Sequence, residues 1–430
     1  PIKSSAASDV YKRQVISILV FSLCFFRVTN AQTNISVTVK DSLTEYPFIC
    51  VKENILSDSL NTMALFYEKL KILKSDTDTV RKVVNILHLG DSHIQAGFLS
   101  GQMMSRFQSD FGNAGRGLIV PLKLIKSNEP RDYAIRSTAS WFGCRCVDRK
   151  NYPCPGLGGM AVATRDTSFF FDIATLSKTD SCNAFCSVTV FHHPRTSPLS
   201  VVSQKKGVNY YPTRWPFASR IELDTLVCNL HLKGQSMFGD TSIYYAMSLE
   251  NRNSGILYHS SGINGSCYSH YVEAGQVLNQ TAALTPDLII LSLGTNEAFG
   301  KCDQKDIYDQ IDRVVSMLRD IHPGAVFLLT TPPECHRRVR RKGKKKYYYT
   351  YVTNTKVEKV AETIRRYAVG KGLACWDLFS ISGGRGSAKS WVKYQLSARD
   401  RIHFNIKGYE LQGNLLYDAI IKGYNDYVGK

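Results

Sequence analysis

The chain has 430 residues, of which 43% are hydrophobic and 21% charged, with 30 Gly and 14 Pro. That is ordinary globular composition, which excludes a disordered or fibrous chain and allows two domains or one large interrupted one. The formal net charge is +18, which turns attention toward anionic rather than cationic partners.

The first readable element is an apolar run, VISILVFSLCFF, at residues 15–26, with Lys12 and Arg13 before it and Thr29-Asn30-Ala31 after it. A basic flank, a short apolar stretch and a small-residue site predict a signal peptide cleaved after Ala31, and therefore export to the periplasm or the extracellular space. The run is shorter than the ~20 residues that span a bilayer. No later stretch reaches that length without charges, so no stable membrane insertion is expected. Residues 1–31 are read as an N-terminal extension and signal peptide, and the first fourteen are set aside from the fold reading.

Residues 32–124 carry weak helical periodicity near 63–73, then a β-branched run, VVNILHL, at 83–89, then a helical pattern over 94–111 closed by Gly112. The run reads as a buried parallel strand. Across 125–255 the helical pattern vanishes. Short alternating runs at 167–173, 185–191 and 221–232, broken by Gly, Pro, Asn and Ser, predict an all-β module, a sandwich in form. From 256 to 430 strand patterns return at 287–293, 325–331 and 373–379, alternating with helical ones at 303–321, 354–370 and 408–422. Strands and helices of these lengths in alternation argue for a parallel sheet of about five strands with right-handed crossovers.

Two segments invite other readings. Cys144, Cys146 and Cys154 lack a paired C-x2-C spacing and have no nearby His, so buried thiols or one local disulfide are expected in place of a metal. The run from His336 to Lys346 holds eight Lys and Arg and leads into Tyr347, Tyr348 and Tyr349. It reads as a solvated, self-repelling loop. An exported protein rarely meets nucleic acid, so no nucleic-acid partner is expected, and an anionic envelope polymer suits the run better. His192 and His193 are adjacent and point to opposite faces of a strand, which does not suit a metal.

Three segments that each follow an apolar strand carry chemistry. Gly90-Asp91-Ser92-His93 places a serine at a strand-to-helix turn, where backbone N–H groups can hold an oxyanion. Gly294-Thr295-Asn296-Glu297 can aim an amide N–H into a cleft. Asp400-Arg401-Ile402-His403 can hold one imidazole nitrogen and leave the other as a base. Alone, each is as well explained by a helix cap or a surface loop.

In this order, the three segments resemble the SGNH (GDSL-like) hydrolases, whose blocks match Gly90-Asp91-Ser92, a glycine, Gly294-Thr295-Asn296 and Asp400 to His403. For the glycine, Gly265 is chosen over Gly262, because Gly262 to Gly265 looks like the family's G-x-x-G turn. His93 stands where the family has Leu, and Glu297 where it has Asp. Neither departure is expected to touch the residues given catalytic roles.

The resemblance implies a flavodoxin-like, three-layer α/β/α fold with a central parallel sheet, interrupted by the all-β module. It implies a secreted serine esterase with Ser92 as nucleophile, His403 as base, Asp400 as its partner, and Gly265 and Asn296 in the oxyanion hole. No cofactor and no metal are called for. The segment 112–117, GNAGRG, and the placement of the β module are similar to those of the bacterial peptidoglycan O-acetylesterases. The expected substrate is therefore an acylated, above all acetylated, polysaccharide or peptidoglycan. An O-acetyltransferase with the same site and a non-catalytic carbohydrate-binding protein are the alternatives.

Overall fold

A computed structural model of the protein describes residues 35–36, 45–75, 80–149, 152–176, 183–202, 207–300, 303–343 and 346–429. The expected signal peptide at 1–31 lies outside the described residues. Among those described, no helix is long and apolar enough to cross a membrane.

The central sheet is built from β1 (Leu56–Ser57), β2 (Val83–Gly90), β3 (Gly255–Gly262), β4 (Leu288–Ser292), β5 (Val326–Thr330) and β6 (Ala374–Trp376), in the spatial order β1-β6-β5-β4-β2-β3. The pairs from β6 to β3 are parallel. The edge strand β1 runs antiparallel to β6. The sheet therefore has six strands where about five were expected. Over 256–430, which the sequence places with this sheet, strand patterns stand out only at 287–293, 325–331 and 373–379, so β3 and the short edge strand β1 are additions.

Successive side chains on a strand face opposite sides, and the two sides meet different cores. Leu87, Leu89, Ile289, Leu291, Phe327 and Leu329 pack with Ile311 and Val315 of the helix Gln304–Ile321 and Val360 and Ile364 of the helix Lys356–Lys371. Ile86, Leu288, Ile290, Val326 and Leu328 pack instead with Phe66, Met103, Phe107, Leu415 and Ile420, from the helices Ala64–Ser75, Phe98–Phe111 and Ile406–Val428. Inside that second core the buried Asp418 is paired with Arg106 at 3.0 Å, which offsets the cost of burying its charge.

The helix expected over 94–111 is broken in two, Ser92–Gln95 and Phe98–Phe111. Gly97 between them adopts φ +74°, and a Cβ there would lie 2.6 Å from Pro130. The break turns the longer helix away from the strand end and frees the short one to present Ser92.

Two further sheets, all antiparallel, are drawn from residues 117–250. One links Val208–Pro212, Ala218–Val227, Phe185–His192, Ser242–Glu250, Met160–Thr164 and Phe142–Arg145, with Gly117–Ile119 beside Ser242–Glu250. The other links Tyr133–Arg136, Ser168–Thr175, Asn229–Gln235 and Ser200–Val201. Phe169, Phe171, Val188, Val190, Leu232 and Tyr244 fill the core of this region. Trp141 packs into it against Phe171, with ring centroids 4.9 Å apart. Cys144 and Cys146 are buried and Cys154 is exposed.

The basic run is a correction to the sequence reading. It is not a loop: His336–Lys342 and Tyr347–Thr353 pair as an antiparallel two-stranded ribbon.

Leu328 is fully buried in the middle of the central sheet. Leu328→Ala should lower unfolding free energy by about 2–5 kcal/mol, through lost transfer energy and the cavity left behind. Denaturant titration measures this; a loss under about 1 kcal/mol would contradict a close-packed sheet centre.

Candidate active site

The carboxyl ends of β2, β3 and β4 lie side by side, where open parallel sheets form their sites. Gly90 and Gly262 are register partners at the ends of β2 and β3. A Cβ on Gly90 would sit 2.3 Å from Ile94 and 2.8 Å from the Ser292 carbonyl. A Cβ on Gly262 would sit 2.2 Å from the Gln95 nitrogen and 2.5 Å from the Asp91 carbonyl. Only glycine at both positions lets the Ser92–Gln95 turn press against the sheet.

Asp91 caps this turn, its carboxylate accepting from the His93 N–H at 2.9 Å. Ser92 opens the helix, so its N–H has no intrahelical acceptor. The Gly90 carbonyl accepts from the Ile263 N–H at 3.2 Å, the Ser266 hydroxyl at 3.1 Å and the Tyr271 hydroxyl at 2.8 Å. These bonds tie the 263–266 turn to the serine strand. Within that turn Gly265 adopts φ +88°, and open space surrounds the position of a Cβ. Gly265 lines the cavity with Ser92, whereas Gly262 serves the close packing, and this settles which glycine faces the cleft.

Asn296 follows β4 and donates one amide N–H to the Ser266 carbonyl at 3.0 Å. An amide has two such donors, so one holds the side chain in place and the other remains for a ligand. Gly294, at φ +123°, makes the turn that brings Asn296 there.

The third segment comes from beyond β6. Ser92 Oγ lies 2.8 Å from His403 Nε2, although the two residues are 311 positions apart. His403 Nδ1 lies 2.6 Å from Asp400 Oδ2. Asp400 Oδ1 accepts from the N–H groups of Ile402, at 2.9 Å, and His403, at 3.0 Å. Burial works against the Asp400 charge, yet these bonds hold its carboxyl well below the usual carboxylate range. The Asp400 hydrogen bond in turn raises the His403 imidazole above an ordinary histidine, against the opposing effect of burial. Arg401 makes this tight loop at φ +59°, a left-handed conformation costing a non-glycine residue about 1–3 kcal/mol. Its N–H donates to the Ala398 carbonyl at 3.0 Å and its carbonyl accepts from His336 at 2.9 Å.

Ser92, Gly265, Asn296 and His403 line one cavity of about 540 Å³, together with Phe98, Thr295 and Tyr409. A larger cavity of about 650 Å³ opens between the antiparallel sheets beside Ile173, Val208 and Leu230, away from these groups. The arrangement, not the volume, marks the site: a hydroxyl facing a basic nitrogen, a carboxylate behind that nitrogen, and N–H donors close by can carry acyl transfer.

The structure corrects one expectation. His93 does touch the machinery: its ring lies 5.2 Å from that of His403, centroid to centroid. Its Nδ1 is 3.0 Å from the Tyr409 hydroxyl. Burial, with the neighbouring His403 charge, pushes His93 down to about 3, so it stays neutral. Glu297 is buried too, accepting from the Tyr268 N–H at 2.8 Å, and burial raises it to about 7. Asp91 is likewise raised to about 7, mainly by burial. No local pattern marks His93, because its partners are far away in sequence.

Residues 238–411 match the GDSL-like Lipase/Acylhydrolase family. The match contains Gly265, Asn296, Asp400 and His403 but begins after Ser92, which joins them only in space. Among solved structures, a peptidoglycan O-acetylesterase superposes with a TM-score of 0.66 at 22% identity, covering 86% of this chain and 99% of that one. An acetyl xylan esterase, AlAXEase, gives 0.30 at 18% identity, covering 38% of this chain and 81% of its own. A lipase/acylhydrolase from Enterococcus faecalis gives 0.27 at 17% identity, covering 39% and 77%. A search of the curated proteins finds no match.

The base must be neutral to accept a proton, so kcat/KM should fall as pH drops through the raised His403 pKa. The acidic limb should therefore lie above the ordinary histidine value of about 6.5. Asp400→Asn removes the group that raises it, so the limb should move to lower pH and activity should fall by about 10⁴-fold. A pH–rate profile on p-nitrophenyl acetate reads both; an unmoved limb would show that Asp400 does not govern His403.

Proposed function

From the premise that this chain belongs to the SGNH (GDSL-like) hydrolases and is a carboxylic ester hydrolase, we propose that it is an exported serine esterase removing O-acetyl groups from a polysaccharide. Ser92 is the nucleophile of this mechanism. His403 Nε2 takes the Ser92 proton as Oγ attacks the ester carbonyl, then returns it to the leaving alkoxide. Asp400 keeps Nδ1 protonated and stabilises the imidazolium. The N–H groups of Ser92 and Gly265 and the amide of Asn296 stabilise the oxyanion. Water then releases the acyl group from Ser92 by the same relay. No metal or organic cofactor enters these steps.

The observation carrying this reading is the 2.8 Å contact between Ser92 and His403, with Asp400 behind it. A polysaccharide substrate and an acetyl group are favoured by the likeness to the peptidoglycan O-acetylesterase over nearly all of that protein. Part of the same proposal is the finer architecture: a flavodoxin-like three-layer α/β/α hydrolase domain over 32–124 and 256–430, with 125–255 as an inserted β module. The exposed Tyr210 and Tyr211 of that region offer ring faces to a sugar chain. Export rests on the pattern at 12–31 alone.

Ser92→Ala should abolish acetate release from acetylated peptidoglycan and from p-nitrophenyl acetate while the protein stays folded. Asn296→Ala should lower kcat by roughly 10²–10³ with a smaller change in KM, because the oxyanion charge develops only in the transition state. A folded Ser92→Ala protein that keeps most of its activity would overturn the mechanism. Acetyl transfer to an added sugar outpacing release to water would favour an O-acetyltransferase with the same site.

A further inference from the structure

The ribbon of His336–Lys342 and Tyr347–Thr353 has no part in the ester chemistry, yet it stands on the loop that supplies it. His336 donates its N–H to the Arg401 carbonyl at 2.9 Å, and the Tyr351 hydroxyl donates to the Arg399 carbonyl at 3.1 Å. The register pairs Arg338 with Tyr351, Arg340 with Tyr349 and Lys342 with Tyr347, so these six side chains share one face. The opposite face carries Arg337 and Arg341 around the half-buried Val339.

On the shared face the arginines lie diagonally over the tyrosines. The Arg338 guanidinium sits 3.8 Å from the Tyr349 ring centroid and Arg340 sits 3.7 Å from that of Tyr347. Arg401, between Asp400 and Ile402, continues the row at 4.4 Å over Tyr351. The row thus runs from the exposed ribbon into the loop that holds His403.

Two physical points give this row a use. A two-stranded ribbon is marginal by itself, and like charges so close repel, so stacking of about 0.5–1 kcal/mol per exposed pair is needed to order it. Yet among the described residues no carboxylate forms an ion pair with Arg337, Arg338, Arg340, Arg341 or Lys342, whereas Arg106, Arg116, Arg145 and Arg365 each have one. A guanidinium lying flat on a ring keeps its N–H edge free and fixed, which suits bidentate capture of a carboxylate. Cations at i and i+2 on a strand repeat at about 6.6–6.8 Å, a spacing for a row of anions rather than a single one.

We propose that this ribbon binds a carboxylate-bearing polysaccharide and leads it across the Asp400–His403 loop to Ser92. The ester substrate is accordingly an acidic glycan, gripped by Arg338, Arg340 and Lys342. The last step rests on the esterase reading; capture by the ribbon does not.

The test compares the full chain with an Arg338→Gln/Arg340→Gln/Lys342→Gln variant, all three side chains being exposed. Binding is measured in the Ser92→Ala background, so that it does not depend on hydrolysis. The probes are polygalacturonate, neutral dextran, a single-stranded oligonucleotide and phosphatidylglycerol vesicles. The parent should bind polygalacturonate best and release it as salt rises, and the triple variant should lose about tenfold or more in affinity. With Ser92 restored, KM on acetylated polygalacturonate should rise about tenfold, with kcat and p-nitrophenyl acetate hydrolysis unchanged.

Arg338→Lys/Arg340→Lys keeps the charge but loses the bidentate edge and the ring stacking. It should therefore bind with the same salt dependence, at an affinity between those of the parent and the triple variant. A far-ultraviolet circular dichroism spectrum and a melting temperature matching the parent's check that each variant stays folded. Equal polygalacturonate binding by parent and triple variant, or stronger binding of the oligonucleotide or the vesicles by the parent, would overturn the proposal. Binding that behaves as expected in a protein that cleaves no acetyl ester would instead sink the esterase reading and leave the ribbon's role standing.

Discussion

Two glycines facing each other at the ends of adjacent parallel strands set the terms for the rest of the site. Gly90 and Gly262 are paired in register, and neither has room for a methyl group. Because both side chains are missing, the Ser92–Gln95 turn can lie directly on the neighbouring strand. Because the turn lies there, the Gly90 carbonyl is within reach of Ile263, Ser266 and Tyr271. The turn carrying Gly265 is thereby drawn to the serine, and Asn296 is fixed to that same turn through the Ser266 carbonyl. A bulkier residue at either glycine would disturb Ser92, Gly265 and Asn296 together.

Around this frame the charges are graded by burial. Asp400 is partly solvated, has three hydrogen-bond donors and is kept ionised. One layer deeper, burial keeps His93 neutral and raises Asp91 and Glu297 to about 7. A second protonated imidazole beside His403 would oppose the protonation of His403 that the proposed mechanism requires, and burial of His93 prevents it. The strained Arg401 serves both functions argued above: it closes the loop that presents Asp400 to His403, and its guanidinium extends the Arg–Tyr row of the ribbon.

The polar residues of the site were readable because the chemistry demands particular side chains just past strand ends, and apolar strands are the strongest short-range signal in the chain. The structure brings Ser92, Asn296, Asp400 and His403 together as that reading requires. Spacing alone could not choose between Gly262 and Gly265; register and a φ of +88° do so. The helix break at Gly97 was invisible because one glycine is tolerated in a helical pattern, whereas its left-handed φ and the Pro130 ring packed where a Cβ would be are features of the fold. The ribbon was misread because strand recognition relies on apolar alternation. Here most of the side chains are exposed and charged or aromatic, and the arginines of one strand stack on the tyrosines of the other. His93 escaped notice for a similar reason, since its contact with His403 leaves no local periodicity.

The claim on which everything else turns is that Ser92 is a nucleophile activated by His403. Treatment with a small organophosphate ester, followed by peptide mass spectrometry, tests it directly. The expected result is a single phosphoryl adduct on the peptide containing Ser92, strongly reduced in a His403→Ala protein. An adduct on another residue, or equal labelling with and without His403, would contradict it.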